Sequence, residues 1–373
     1  TYTLDDPDVG TTVTVVASYT DSYGASESVT SAGVGPIANI NDAPVGVPTI
    51  TGTVAEDQLL TADTSGISDA DGLGAFSYQW LRDGVAIGGA TGSTYTLGDA
   101  DVGSLISVQV TYTDLQGTNE SVTSAQTAAV ANVNDAPTGS VTISGTPTED
   151  QVLTASNTLA DADGMGAISY QWYRDGVAIG GAAASTYTLG DADVGANVTV
   201  TASYTDGQGT AESVTSAGVG PIANINDAPV GVPTITGTVT EDQLLTADTS
   251  GISDADGLGA FSYQWLRDGV AIGGATSSTY TLGDADVGAL ISVQVSYTDL
   301  QGTNESVTSA QTAAVANIND APTGSVNISG LLTEDQILTV SNTLADADGM
   351  GAVSYQWYRD GVAIGGATGT TYT

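Results

Sequence analysis

The sequence predicts an all-β chain, a linear array of small seven-stranded Greek-key β-sandwiches. Three observations carry that expectation. The hexapeptide Asn-x-Asn-Asp-Ala-Pro occurs four times, as Asn39 to Pro44, Asn132 to Pro137, Asn224 to Pro229 and Asn317 to Pro322. Its aspartates, Asp42, Asp135, Asp227 and Asp320, are 93, 92 and 93 residues apart, and a period that steady marks a repeat array. The 48 glycines and many threonines, with no long run at helical period, point to short strands and tight turns.

Within the repeat 45–137 each strand follows from local pattern. Pro48 to Thr53 suits a first strand and Gln58 to Asp63 a second, each bounded by turn residues. Phe76 to Arg82 makes a third, closed by the hairpin signal Asp83-Gly84. Val85 to Ile87 and Ser93 to Leu97 are short strands around Gly88-Gly89. Leu105 to Tyr112 alternates most cleanly, with Ile106, Val108, Val110 and Tyr112 on one face. Glu120 to Asn132 is expected to return as a strand to the next hexapeptide. About seven strands in a unit this size match an immunoglobulin-like sandwich, and Trp80 on the third strand belongs to its core.

The chain is built of such units. Whole repeats are expected at 45–137, 138–229 and 230–322. Residues 1–44 read as the C-terminal half of one repeat and 323–373 as the N-terminal half of another, because Thr1-Tyr2-Thr3 and Thr371-Tyr372-Thr373 fall at one point of the period. Repeats 45–137 and 230–322 differ only at Ala55/Thr240, Gly92/Ser277, Ser104/Ala289, Thr111/Ser296 and Val133/Ile318. The repeat between them departs much further, with Trp172-Tyr173 where its neighbours have Trp80-Leu81 and Trp265-Leu266. The true unit is therefore a doublet.

Charge narrows the partners. Forty-three acidic residues face four arginines, with no lysine or histidine, for a formal charge of −39. Nucleic acid is excluded, since binding it needs a basic surface, and anionic membrane is disfavoured. Self-repulsion of that size would be relieved by bound cations, although an acidic surface also keeps an extracellular fibre soluble. The chain has no cysteine, so no disulfide or thiolate site exists, and without lysine no Lys–Asn cross-link can form. No apolar run approaches the ~18 residues of a membrane span and no signal peptide is visible, in a chain that reads as an excerpt.

Acidic residues recur at fixed places about each hexapeptide. Upstream of Asp135 lie Glu56, Asp99 and Asp101; downstream lie Asp161, Asp163 and Asp206. Asn132, Asn134 and Asp135 themselves add oxygen. The pattern resembles the cadherin repeat as found in bacterial cadherin-like surface adhesins. Asn132-Val133-Asn134-Asp135-Ala136-Pro137 resembles the cadherin linker Asp-x-Asn-Asp-Asn-x-Pro, and Asp161-Ala162-Asp163-Gly164 its Asp-x-Asp motif. Thr205-Asp206-Gly207 is similar to its later Asp-Gly, Asp99-Ala100-Asp101 stands where the family has Asp-Arg-Glu, and Glu56 where it has an early Glu. The likeness covers essentially the whole chain. It implies calcium (Ca2+) at each junction, which needs about 6–8 oxygen ligands.

Carried residue by residue, the same positions give three further sets. One is Asp6, Asp8, Asn39, Asn41, Asp42, Asp69, Asp71 and Asp114; the next is Glu149, Asp191, Asp193, Asn224, Asn226, Asp227, Asp254, Asp256 and Asp299. The last is Glu241, Asp284, Asp286, Asn317, Asn319, Asp320, Asp346 and Asp348. Asn132 replaces the linker's first Asp, Ala136 replaces an Asn, and Asp101 is shorter than Glu. Those departures imply one or two ions per junction where cadherins hold three.

Other motif readings fail. Asp69-Ala70-Asp71-Gly72 begins like an EF-hand loop, but the twelfth position is Trp80 where a Glu is required. The same four residues also make good turn chemistry. Without His, Cys or Lys, most nucleophiles and general bases are missing, and a paired-carboxylate glycosidase site would have to recur in every repeat. The expected protein is not an enzyme. It is the stalk or fibre segment of a bacterial extracellular adhesin, with neighbouring repeats, and other copies in a fibre, as partners. Lateral assembly into a matrix and a glycan- or cell-binding module are the alternatives.

Overall fold

The computed structural model describes all 373 residues. Its regular elements are short antiparallel strands and four single 3-10 turns, and no helix is long and apolar enough to cross a membrane. Contacts divide it into two compact units. One comprises Thr1–Gly145, Leu153–Tyr187 and Val198–Val219; the other comprises Thr146–Val152, Thr188–Asn197 and Gly220–Thr373.

The first unit opens with a hairpin, β1 (Val16–Thr20) and β2 (Ser26–Thr30). Next come β3 (Thr49–Thr51), β4 (Leu59–Asp63), β5 (Ser77–Arg82), β6 (Val85–Ala86), β7 (Thr94–Thr96), β8 (Ile106–Thr113) and β9 (Asn119–Thr123). They form two sheets, ordered β3-β4-β7 and β6-β5-β8-β9. Their inner faces enclose one core of Leu60, Ala62, Trp80, Leu97, Ile106, Val108, Val110 and Tyr112, a β-sandwich. The period-2 run of β8 buries Ile106, Val108, Val110 and Tyr112 on one face, as strand geometry requires, and Ser107 is enclosed on the other. Trp80 is wholly buried, stacks on Tyr95 at 5.8 Å, and donates its indole N–H to Gly92 O at 2.9 Å. The β5–β6 turn places Asp83 at φ 47° and Gly84 at φ 82°, the pair of left-handed residues that a two-residue hairpin needs.

One expected strand is shorter than its pattern. The segment from Glu120 is a ladder only to Thr123. Beyond it, Ser124 Oγ accepts from Val108 N and Thr127 Oγ1 from Ile106 N, each at 3.0 Å. Hydroxyls there replace the carbonyls a ladder would supply, which frees the chain to leave the sheet. It then runs parallel to two loops, through bridges Val102–Val130 and Ala55–Ala131, and enters the hexapeptide, which has no secondary structure.

The following repeat supplies β10 (Val141–Ser144), β11 (Val152–Asn157), β12 (Ser169–Arg174), β13 (Val177–Ala178), β14 (Thr186–Thr188), β15 (Val198–Thr205) and β16 (Ala211–Thr215). The sheet orders are the same, β10-β11-β14 and β13-β12-β15-β16. Within the first unit, Leu153, Ala155, Trp172, Val198, Val200, Ala202 and Tyr204 are buried.

The second unit repeats the sandwich with strands from Thr234–Thr236 to Asn304–Thr308, around Leu245, Ala247, Trp265, Leu282, Ile291, Val293, Val295 and Tyr297. It also holds the sheet of Val326–Ser329, Leu338–Asn342 and Thr371–Tyr372 and the hairpin Tyr358–Arg359 with Val362–Ala363.

Candidate metal centre

The hexapeptide Asn132 to Pro137 is held from two sides. On the preceding side, Glu56 N donates to Ala131 O at 2.9 Å and Gly103 N to Val130 O at 2.9 Å. Those bonds bring the Glu56 loop and the single 3-10 turn Asp99–Asp101 to the start of the linker. Glu56 Oε2 then accepts Val133 N at 3.3 Å. On the following side, Asp163 Oδ2 accepts Asp135 N at 2.8 Å. Asp163 is set in place by its neighbour: Asp161 Oδ1 accepts Asp163 N at 2.9 Å, and Tyr204 donates its hydroxyl to Asp161 Oδ2.

Three carboxylates converge at this point. One oxygen from each of Glu56, Asp99 and Asp135 lies within 4.8 Å of the others. Glu149, Asp191 and Asp227 make the same cluster, as do Glu241, Asp284 and Asp320. In each, the glutamate is 1% exposed. Its second oxygen has no hydrogen-bond partner: Glu56 Oε1, Glu149 Oε1 and Glu241 Oε1 are all buried and unpaired. So are Asn39 Oδ1, Asn132 Oδ1 and Asn224 Oδ1 at the head of their linkers. A buried carboxylate oxygen left unsatisfied costs on the order of 1–3 kcal/mol or more, so its recurrence in three repeats calls for a missing partner. With no His or Cys in the chain, the donors are all oxygen, the set a hard cation takes.

The carboxyls register the crowding. Burial, then Asp99, push Glu56 above the ordinary glutamate value; burial, then Asp99 and Asp163, do the same to Asp135. Glu149 is raised by burial and Asp191 despite the Ile225 N–H, and Asp227 by burial and Asp191. At Glu241 the Ile318 N–H pulls down, but burial and Asp284 outweigh it. A carboxyl raised in the folded state holds its proton more tightly there than in the unfolded chain. Acidification from neutral pH through these raised values, towards the ordinary 4.5 and 3.8, therefore stabilises the metal-free fold. In chelator, the melting temperature is expected to be higher at pH 5.5 than at pH 7.5, and with millimolar calcium the order should reverse, as protons compete with the ion. A metal-free melting temperature that falls on acidification over this range would contradict the clustering.

The remaining acidic residues divide by what they touch. Asp101 stands apart from the cluster. Its Oδ1 accepts Arg82 Nε at 2.7 Å, and its Oδ2 accepts Tyr95 OH at 2.9 Å and Gly98 N at 3.0 Å. Asp286 is engaged in the same way by Arg267, Tyr280 and Gly283. Asp193 accepts Gly190 N, and Asp8 accepts Tyr2 OH and Asp5 N. A 3-10 turn rotates two residues by about 240°, so Asp99 and Asp101 face different ways, one exposed and one buried.

Asp69 and Asp254 spend both oxygens as Asp161 does, on the loop and on Tyr112 or Tyr297; Asp346 accepts Asp348 N. Asp71, Asp256 and Asp348 hold the linker amides of Asp42, Asp227 and Asp320 as Asp163 holds that of Asp135. Asp114, Asp206 and Asp299 each pin a turn with Oδ1 and keep a buried, unpartnered Oδ2. Asp6 is raised by burial and by Asp42, its counterpart of the Asp99–Asp135 contact. Asn317 is exposed, and Asn319 donates to Asp320 O at 2.9 Å.

Sequence reasoning missed Glu120, Glu212 and Glu305. Asn41, Asn134 and Asn226 donate their side-chain amides to Glu120, Glu212 and Glu305 of the following repeat, at 2.8, 2.9 and 2.9 Å. Their signal lies in strand register: each glutamate stands opposite a core tyrosine, on the inward row of its strand.

No protein-family model matches the chain. The highly immunogenic outer capsid protein of Enterobacteria phage T4 is 28% identical over 251 residues, 65% of this chain. The chain spans 64% of that protein's length. Among solved structures, a Ca2+-stabilised adhesin by which an Antarctic bacterium binds ice is 12% identical, covering 82% of this chain and 84% of that one, with a TM-score of 0.30. A tetra-tandem repeat from the extending region of a large adhesion protein is 16% identical, covering 82% and 89%, with a TM-score of 0.26.

Proposed function

We propose that the chain is a non-catalytic, structural segment of an extracellular fibre or surface adhesin, whose repeats are joined by calcium-bound linkers. The repeats are 45–137, 138–229 and 230–322, with 1–44 and 323–373 belonging to repeats of the same kind. The observation that carries the reading is the buried, unpartnered oxygen of Glu56, Glu149 and Glu241, each beside two more carboxylates. Glu56, Asp99, Asn132 and Asp135, with their counterparts, would hold the ion, and the free Oδ2 of Asp206 and Asp299 extends the donor set into the following repeat. The stretch of identity to an outer capsid protein supports a structural role displayed outside a particle or cell.

The chain's own residues supply the coupling. Glu56 and Asp99 belong to one repeat, Asp135 to the linker, and the Asp135 amide is already held by Asp163 of the next. A cation that binds the first three ties one repeat to the other and cancels the repulsion among them. At free calcium about 100 times the dissociation constant, each site would add roughly 2.7 kcal/mol to the bound arrangement.

Small-angle X-ray scattering of the full chain tests the proposal. With millimolar calcium the maximum dimension should become larger and better defined than in chelator. A profile that ignores calcium would leave the carboxylates as a solvating surface and remove the stiffening role.

A further inference from the structure

β16 carries a charge where its pattern calls for an apolar residue. Its inward positions are Glu212 and Val214, and Glu212 lies directly opposite the buried Tyr204 on β15. This hairpin therefore presents two polar tips at the end of the core. The Tyr204 hydroxyl holds Asp161, and Glu212 Oε1 accepts Asn134 Nδ2 at 2.9 Å. Asn134 immediately precedes Asp135, and the same Nδ2 also donates to Asp135 O at 3.2 Å. The clasp recurs at the other linkers whose following repeat includes this hairpin, from Glu120 and Glu305. Glu241, Asp284 and Asp320 converge at the linker where Asn319 donates to Asp320 O and not to such a glutamate, so the clasp steadies the linker and does not itself gather the carboxylates.

We infer that Glu120, Glu212 and Glu305 are positioning residues that hold the linker in its cation-binding shape before the cation arrives; the inference rests on the calcium reading above. A six-residue linker without secondary structure loses conformational freedom when its oxygens are gathered round an ion. A hydrogen bond that fixes Asn134 beforehand takes part of that cost out of the binding step. The glutamate thus raises affinity through the asparagine, without touching the ion, by its capacity to accept a hydrogen bond.

The test replaces all three glutamates in the full chain, once as Glu120→Ala, Glu212→Ala and Glu305→Ala together, and once as the corresponding Gln variant. Glutamine keeps an acceptor oxygen and loses the charge. Two quantities are read: amide hydrogen exchange of residues 132–137 and 224–229 in chelator, and calcium affinity by titration calorimetry. The Ala variant should exchange faster in both linkers and bind calcium roughly fivefold more weakly, while the Gln variant stays within about twofold of wild type. Unchanged exchange in the Ala variant overturns the clasp. A Gln variant as impaired as the Ala variant overturns it too, since charge alone would then matter. A wild-type chain that takes up no calcium overturns the ion reading and the positioning role with it, whereas calcium uptake with unaltered Ala-variant affinity overturns the positioning role alone.

Discussion

Chelating calcium is expected to lower the melting temperature of the chain by roughly 10–20 °C. The figure follows from about 2.7 kcal/mol per occupied site and the 4–8 °C that one kcal/mol moves a domain of this size. The effect should be carried by the clusters. Replacing Glu56, Glu149 and Glu241 together by glutamine removes the most buried charge of each, along with its unpaired carboxylate oxygen. In chelator that variant should melt at or above wild type, because a repulsive buried charge is gone. In calcium it should show little of the wild-type gain. Differential scanning calorimetry at fixed ionic strength decides the matter. An equal calcium shift in wild type and variant would place the ions elsewhere, and no shift in wild type would mean there are none to place.

The second large effect is independent of metal. Trp265→Ala should destabilise the sandwich built around it by about 3–5 kcal/mol. Trp265 is wholly buried, lies 5.7 Å from Tyr280 in a stacked pair, and donates its indole N–H to Ser277 O at 2.9 Å. Truncation leaves a cavity between the sheets and strips the Ser277 carbonyl of its partner. Calorimetry should show one transition moving to lower temperature while that of the sandwich with the separate Trp80 core stays in place. A single unshifted transition would mean the core is not organised around the indole.

The β-sandwich was legible because its information is local and periodic. Alternation in Ile106 to Tyr112 states which side chains face inward, and Asp83-Gly84 states where the chain reverses. The end of β9 was not legible, since nothing in the order of residues shows that Ser124 and Thr127 hydroxyls displace ladder carbonyls. At the candidate site, the linker and the recurring acids could be read, but the direction each acid faces could not. Asp99 and Asp101 sit two residues apart in one motif, yet the first joins the cluster and the second is enclosed with Arg82 and Tyr95. Glu212 escaped notice for the opposite reason: alone on a strand it reads as a solvated charge, and only its register against Tyr204 turns it inward.

The alternation of repeat types also bears on how a long array avoids tangling as it folds. Adjacent copies that are nearly identical can trade strands and trap one another in misassembled pairs. Here a repeat's neighbour is a poor donor. The strand that would replace β8 brings Ala202 to the place of Val110, and the preceding segment brings Ile168 to the place of Phe76, which meets Tyr112 edge-on at 5.5 Å. Exchange of β15 would leave a hole at Val110, and exchange of the segment leading into β12 would lose the ring contact, so each repeat is steered to complete itself with its own chain.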